Sequence, residues 1–173
     1  KTCTDFEQSA LPVVGAIQGF CLAGGIEISL GCDILFAAED AVFGDQHANY
    51  GLIPGWGGSQ RLPRIVGFRR ALDLMFSGRR VQANEAKEWG MVNYISPTAE
   101  LRSLALDYCQ QLALKSSDGL AMMKELAYVG ADLSLPKALS LEVNEAVKGL
   151  QSDDVKEGLA AFGERREPAF KSR

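Results

Sequence analysis

The sequence predicts an α/β fold in which strands alternate with helices at first and helices alone follow. Near-continuous apolar runs at 12–17 and 33–38 are typical of strands covered on both faces. The segment between them predicts a helix over 24–31, so the three elements form a strand–helix–strand unit with a right-handed crossover. From Thr98 onward apolar residues recur at helical spacing. We therefore expect a strand-and-helix region at 1–97 and a helical region at 98–173.

The remaining elements follow from local signals. The polar lead at 1–10 predicts the end of a helix or a loop, and 41–44 predicts a short strand. Glycines separate the next predicted elements, because glycine ends helices at low steric cost. These elements are helices at 59–66, 68–76 and 83–89, and a strand at 91–95.

Four helices are expected after Thr98. The first two carry apolar stripes, one from Leu101 to Leu112 and one from Leu120 to Ala127. A third is predicted over 135–150, and its apolar stripe contains Leu139, Val143 and Val147. Ser152 is a favoured N-cap residue and predicts the start of the last helix, which continues to about residue 166.

Composition narrows the possible functions. A chain of 173 residues that is 47% hydrophobic can bury a proper core. The net charge is −4 and the basic residues are scattered, which argues against nucleic acid as a ligand. The sequence shows no signal peptide and no long apolar span, so we expect a soluble cytoplasmic protein that does not engage a membrane.

The cysteine pattern argues against a metal site. Four cysteines lack Cys-x-x-Cys spacing and the chain has one histidine, so we expect no zinc and no other metal. Buried, reduced thiols are the better interpretation of all four.

The stretch Gly19–Asp33 carries the strongest chemical signal. A helix that opens at Gly24 presents backbone N–H groups without partners in the helix, and such groups favour negative charge. Glu27 follows one helical turn later, between two isoleucines, where a carboxylate is costly to bury unless it is paired or functional. An oxyanion donor and a carboxylate in one small volume suit acid–base chemistry beside a polarised carbonyl. The alternative is a purely structural role, in which a tight turn is followed by a glutamate that complements the helix dipole.

This stretch resembles the signature of the crotonase superfamily, the enoyl-CoA hydratases and isomerases. Three further segments continue the resemblance in the expected order, and together they span nearly the whole chain. They are Phe43–His47, Gly51–Leu62 and Ser152–Phe162.

The resemblance implies a crotonase-like ββα spiral core with a C-terminal helical trimerisation region. It also implies a homo-oligomer, a trimer or a hexamer. Crotonase-like proteins are longer at the N-terminal side, where the missing part normally supplies a second oxyanion-hole N–H and much of the CoA surface. We therefore expect this chain to be a fragment, with that portion supplied by the same or another chain.

The resemblance assigns roles to three residues. Gly24 occupies the place of the glycine whose N–H binds the thioester oxygen, and Glu27 that of the first catalytic glutamate. His47 stands where typical hydratases carry a second glutamate. Histidine can take or give a proton near neutral pH, so acid–base work survives this exchange, although hydration as two glutamates perform it is in doubt.

Further residues are implied by the same resemblance. Gly24, Gly25 and Gly55 are expected to contact the substrate, and Trp56 either walls the acyl pocket or is a core aromatic. Near the C-terminus, Phe162 and Lys171 match positions that approach CoA, although a solvent-exposed lysine explains Lys171 equally. Two polar residues flanking His47 could orient or replace it, but each is better explained as a turn residue; they are Asp45 and Asn49.

Several functions remain open at this point. The leading hypothesis is hydration of an enoyl-CoA thioester, with no cofactor beyond the substrate's own coenzyme A. Isomerisation of the double bond follows closely, and other enolate chemistry fits the same fold. A catalytically silent crotonase-like binding or assembly subunit is the alternative from another class. A nucleotide-binding module is disfavoured because Gly51–Gly58 lacks the Gly-Lys-Ser/Thr of a phosphate loop.

Overall fold

The computed structural model describes residues 2–171 and forms two compact units. The first comprises Val13–Asp107 together with the N-terminal residues up to Glu7, and the second comprises Gln8–Pro12 and the residues from Tyr108 onward. Residues 98–107 thus pack with the first unit. The predicted regions 1–97 and 98–173 stay a prediction, because units defined by packing need not coincide with functional regions; residues 1, 172 and 173 lie outside the described part.

The first unit contains a parallel three-stranded sheet in the order β1-β3-β6. Its strands are β1 (Val14–Ile17), β3 (Ile34–Ala38) and β6 (Tyr94–Ser96). Val14 pairs with Ile34, and Phe36 pairs with Tyr94, whose ring stacks on that of Phe36 with centroids 4.7 Å apart. Parallel pairing of β1 with β3 agrees with the predicted strand–helix–strand unit.

A second small sheet lies in the same unit, in the order β2-β4-β5. Strand β2 (Phe20–Leu22) runs parallel to β4 (Val42–Gly44), and β4 is antiparallel to β5 (Val81–Gln82). This sheet leads directly to the candidate site, because β2 ends just before Gly24 and β4 ends just before Asp45.

Helices pack around these sheets and close the core. They are α1 (Thr2–Glu7), α2 (Gly24–Ser29), α3 (Gly58–Val66), α4 (Phe68–Ser77) and α5 (Ala83–Glu88), with a 3₁₀ turn at His47–Tyr50. The fully buried apolar side chains come from both helices and strands, and include Ile26, Phe43, Leu62, Leu74 and Val81. Helix α6 (Leu101–Ala113) belongs to this unit as far as Asp107.

The second unit is helical. It contains α7 (Ser117–Ala131), α8 (Leu135–Gly149) and α9 (Asp153–Glu164), and α7 packs against α8. Ser152 caps α9 as predicted, since its Oγ accepts the N–H of Val155 at 3.2 Å. Within residues 2–171, no helix is both long and apolar enough to cross a membrane.

The α/β class and the order of the long elements are confirmed, but two short strands were missed and the bounds of three predicted elements differ. Strands β2 and β5 were not predicted, because two or three residues carry too little periodicity. The predicted strand 91–95 begins later, at Tyr94, because the N–H groups of Met91 and Val92 bond to the carbonyl of Ala86 and close α5. Helix α2 is shorter than the predicted 24–31, and α9 ends at Glu164.

The four cysteines, all within the described residues, form no disulfide bond with one another. Cys3 and Cys21 are buried, but Cys32 and Cys109 are partly exposed, so the expectation of four buried thiols is correct for two. Burial raises the pKa of the Cys21 thiol above its ordinary value.

Candidate active site

Glu27 is buried on α2, with 2% of its surface exposed. Its Oε1 accepts two backbone hydrogen bonds, from the N–H of Trp56 at 2.7 Å and from the N–H of Gly58 at 2.8 Å. Backbone donors satisfy a buried carboxylate without adding a mobile side chain. The carboxylate is therefore held through Oε1, and these two amides do not bind Oε2.

The donors come from Trp56 in the loop before α3 and from Gly58, the first residue of α3, and the backbone approaches Glu27 closely there. A Cβ on Gly58 would lie 3.0 Å from Cγ and 3.2 Å from Oε1 of Glu27. Gly57 adopts a φ of 109°, a conformation that favours glycine. Arg61 pairs with Glu7 and donates to the carbonyl of Trp56 at 2.9 Å, which holds this loop against α1.

His47 faces the second oxygen of Glu27. Its Nε2 lies 3.6 Å from Oε2 of Glu27, which is beyond hydrogen-bond distance, while its Nδ1 lies 3.0 Å from Oδ1 of Asp45. The imidazole is thus placed between two buried carboxylates.

Two strained backbone positions precede the candidate residues. Ala23, just before Gly24, has a φ of 49°, and Gln46, just before His47, has a φ of 64°. A non-glycine residue in the left-handed region costs of order 1–3 kcal/mol and persists when its surroundings enforce it. Here the backbone N–H of Ala23 donates to the carbonyl of Gly44 at 2.9 Å, and the side-chain Nε2 of Gln46 donates to the carbonyl of Gly78.

Gly24 begins α2 and lies against the Trp56 indole. A Cβ on Gly24 would approach Cζ3 of Trp56 to 2.7 Å, so the ring packs there only because residue 24 is glycine. Trp56 is 61% exposed and is therefore not a core aromatic. The structure brings Gly24, Glu27, His47 and Trp56 together in the first unit.

The other predicted contact residues have different surroundings. A Cβ on Gly25 would make only an ordinary contact with Cys21, and one on Gly55 would meet open space. Phe162 and Lys171 belong to the second unit. Phe162 is exposed on α9, and the Lys171 Nζ lies 3.4 Å from Oδ2 of Asp153, so this lysine has an acidic partner within its own unit. The substrate contacts of all four stay predictions.

The importance of Asp45 was underestimated from the sequence. This residue was expected to be a turn residue, and its Oδ1 does accept the N–H of His47 at 3.2 Å. The structure also buries it, with 1% exposed, and places it on the imidazole. Asn49, the other flanking residue, donates instead to the carbonyl of Gly78 at 3.1 Å. The spacing Asp-x-His was the available signal, whereas the amides of Trp56 and Gly58 carry none.

Comparison with known proteins agrees with this architecture. The sequence profile of the family described as enoyl-CoA hydratase/isomerase matches residues 1–173. A probable enoyl-CoA hydratase of Bacillus subtilis (strain 168) is 40% identical over 161 residues, covering 92% of this chain and 62% of the relative. A probable mitochondrial enoyl-CoA hydratase 2 of Arabidopsis thaliana is 37% identical over 164 residues, covering 95% of this chain and 54% of the relative.

Solved structures are similar as well. The crystal structure of an enoyl-CoA hydratase from Bacillus anthracis superposes with a TM-score of 0.96 at 37% identity, covering 99% of this chain and 66% of that one. The chain spans less than two thirds of the length of the two curated relatives it matches. Since the family profile matches along all 173 residues, the chain belongs to the enoyl-CoA hydratase/isomerase family.

Proposed function

We propose that the complete protein adds water to the double bond of an enoyl-CoA thioester, and that this chain supplies the acid–base groups. The observation that carries the proposal is that the two oxygens of the Glu27 carboxylate have different partners. Oε1 is held by two backbone amides, and Oε2 faces Nε2 of His47 at 3.6 Å. A fixed carboxylate beside an imidazole offers two proton-transfer groups at one point.

Gly24 is the proposed donor to the thioester oxygen. Its N–H lies in the first turn of α2, where backbone donors have no partner within the helix, and Glu27 lies one turn further along. As the double bond is attacked, negative charge develops on the thioester oxygen. One such donor is typically worth about 10²–10³ in rate.

Hydration then needs two proton movements that balance. The oxygen of water bonds to the β-carbon, and one of its protons passes to Glu27 or His47. The electron pair of the double bond moves through the α-carbon onto the thioester oxygen, forming the enolate. The other group, which carries a proton at the start, donates it to the α-carbon as the enolate electron pair forms the new C–H bond and the thioester carbonyl is restored. A proton then passes between the two groups, so one water is added and both groups regain their starting states.

Isomerisation of a 3-enoyl thioester is the second candidate. It moves one proton between two carbons of the same enolate, and one well-placed base is enough. The support for it is His47, which replaces the second carboxylate expected of a typical hydratase, while Oε2 of Glu27 remains available.

Turnover measurements on the complete protein separate these activities. We expect loss of crotonyl-CoA if the protein is a hydratase, and conversion of a 3-enoyl-CoA to its 2-enoyl isomer if it is an isomerase. Glu27→Gln should lower kcat by about 10²–10⁴ in either case, because the amide cannot take the proton. Glu85→Gln is the matched control, since the Glu85 carboxylate is partly exposed and pairs with Arg79 at 2.9 Å.

Two outcomes oppose the proposal. If the unaltered protein turns over neither substrate, other enolate chemistry is favoured. If Glu27→Gln retains full turnover, Glu27 is not the base. A binding or assembly subunit is favoured when no turnover occurs and neither Glu27→Gln nor His47→Ala changes any measurable property.

We also propose a homo-oligomer, a trimer or a hexamer, acting in the cytoplasm on fatty acyl-CoA. An apolar stripe on α8 supports it, in which Leu135, Leu139, Val143 and Val147 are all exposed. Phe162 and Lys171 are proposed CoA contacts. Sedimentation of the complete protein tests the assembly, and a purely monomeric species contradicts it.

A further inference from the structure

We propose that Asp45 is a positioning residue, which holds the His47 imidazole with its proton on Nδ1 and with Nε2 directed at Glu27 and the reacting acyl group. This inference rests on the proposed function. It adds a third side chain, Asp45, to the acid–base groups already described.

The assignment of the proton follows from the acceptor that Nδ1 meets. Oδ1 of Asp45 accepts the backbone N–H of His47 at 3.2 Å, so this oxygen is acting as an acceptor. The same oxygen lies 3.0 Å from Nδ1, within hydrogen-bond distance. A carboxylate oxygen can only accept hydrogen bonds, so the ring nitrogen bonded to it must be the donor, and Nδ1 is therefore the protonated nitrogen. In the neutral imidazole, Nε2 then carries the free lone pair.

Because Nδ1 is bonded to Asp45, Nε2 is the ring nitrogen that can take up or release a proton during the reaction. Nε2 lies 3.6 Å from Oε2 of Glu27, and the His47 side chain keeps about 11% of its surface exposed. That oxygen is also the one that the backbone amides leave unbound. When Nε2 takes a proton during the reaction, the imidazolium lies between the side chains of Asp45 and Glu27.

A turn-forming role alone does not account for Asp45. An asparagine would accept the N–H of His47 equally well, because that bond uses one side-chain oxygen. Asp45 is instead a carboxylate with 1% of its surface exposed, and its Oδ2 has no hydrogen-bond partner among the described residues. Burying a charged group with one oxygen unpaired is unfavourable, and an imidazole that becomes positively charged compensates for it.

The test uses nitrogen NMR of the complete protein labelled with ¹⁵N-histidine. His47 is the one histidine in this chain, and its signals are assigned by their loss in His47→Gln. At a pH where the imidazole is neutral, we expect the proton on Nδ1. In Asp45→Asn, which retains the turn, we expect the proton to move at least partly to Nε2.

Kinetics provide the second readout. Asp45→Asn should lower kcat by about 10²–10⁴-fold with KM little changed, since the acyl contacts are untouched but the proton-transfer group has the wrong tautomer. Asp33→Asn is the matched control, because Asp33 accepts the N–H of Val13 at 2.7 Å and should leave the His47 signals unchanged.

The result that overturns the inference is a proton on Nε2 in the unaltered protein, and this holds even if Asp45→Asn fails to fold. An Asp45→Asn variant with unchanged tautomer and unchanged kcat overturns it too. If neither enoyl-CoA is turned over but the proton is on Nδ1, the positioning of His47 stands and the proposed reaction falls.

Discussion

The two units differ in what they bury. The first encloses large apolar side chains completely and also hides a polar cluster of Glu27, Asp45 and His47. Among the described residues of the second, Ala161 is the one buried apolar side chain, while Leu135 and Phe162 are among many exposed ones. The first unit thus has an apolar core that holds the candidate site in place. The second exposes apolar side chains that are typical of a surface contacted by another part of the protein or by another molecule.

Two phenylalanines test this difference most strongly. Phe43 is completely buried on β4, and Phe43→Ala should lower the free energy of unfolding by about 3–5 kcal/mol. Phe162 is 85% exposed on α9, and Phe162→Ala should change it by less than about 0.5 kcal/mol when the oligomeric state is unchanged. Urea denaturation measures both, and equal losses would remove the contrast between the units.

Replacing two glycines by alanine should change the free energy of unfolding in opposite directions. Gly58→Ala places a Cβ 3.0 Å from the Glu27 side chain. We therefore expect the free energy of unfolding to fall by about 1–3 kcal/mol and turnover to decrease. Gly163 lies in the last turn of α9, where an added Cβ would meet no neighbouring element of the described structure, and Gly163→Ala should raise the free energy of unfolding by up to roughly 0.5–1 kcal/mol. Denaturation midpoints decide this, and a stabilised Gly58→Ala contradicts the close approach.

The smallest effect concerns pH. Hydrogen bonds from Arg166 first, and then from the Ala169 N–H, lower the pKa of Glu157 to about 2 from an ordinary 4.5. Because the folded-state pKa is the lower one, the contribution to stability is present above pH 4.5 and is lost as the pH falls toward 2. The pair is solvent-accessible, so the effect is slight. Carboxyl NMR should show the Glu157 midpoint returning toward 4.5 in Arg166→Gln, and an unmoved midpoint contradicts this pairing.

Sequence periodicity was sufficient for the long elements and insufficient for short pairings. The apolar run before Gly24 and the stripes after Thr98 were predicted because burial on one face or both faces leaves a pattern. Strands β2 and β5 are two or three residues long and exist through their pairing with β4. Such strands depend on tertiary contacts that no local window contains.

The candidate site was predictable where side chains carry the chemistry. Glu27 was identified by residue type and spacing and His47 by the resemblance to the crotonase superfamily, and the structure places their side chains 3.6 Å apart. The backbone amides of Trp56 and Gly58 could not be identified, because every residue except proline has such a group and its direction depends on the loop. Asp45 was underestimated because a turn explained it locally, while its burial is a property of the fold.

The tethering of one Glu27 oxygen has a stereochemical consequence. A carboxylate held by two amides cannot rotate about its terminal bond, so Oε2 keeps one orientation. If a flat enoyl group docks at Gly24 as proposed, it meets Glu27 on a single side. Under the proposed reaction the hydroxyl product has one handedness, and deuterium from solvent enters the α-carbon at one of its two prochiral positions.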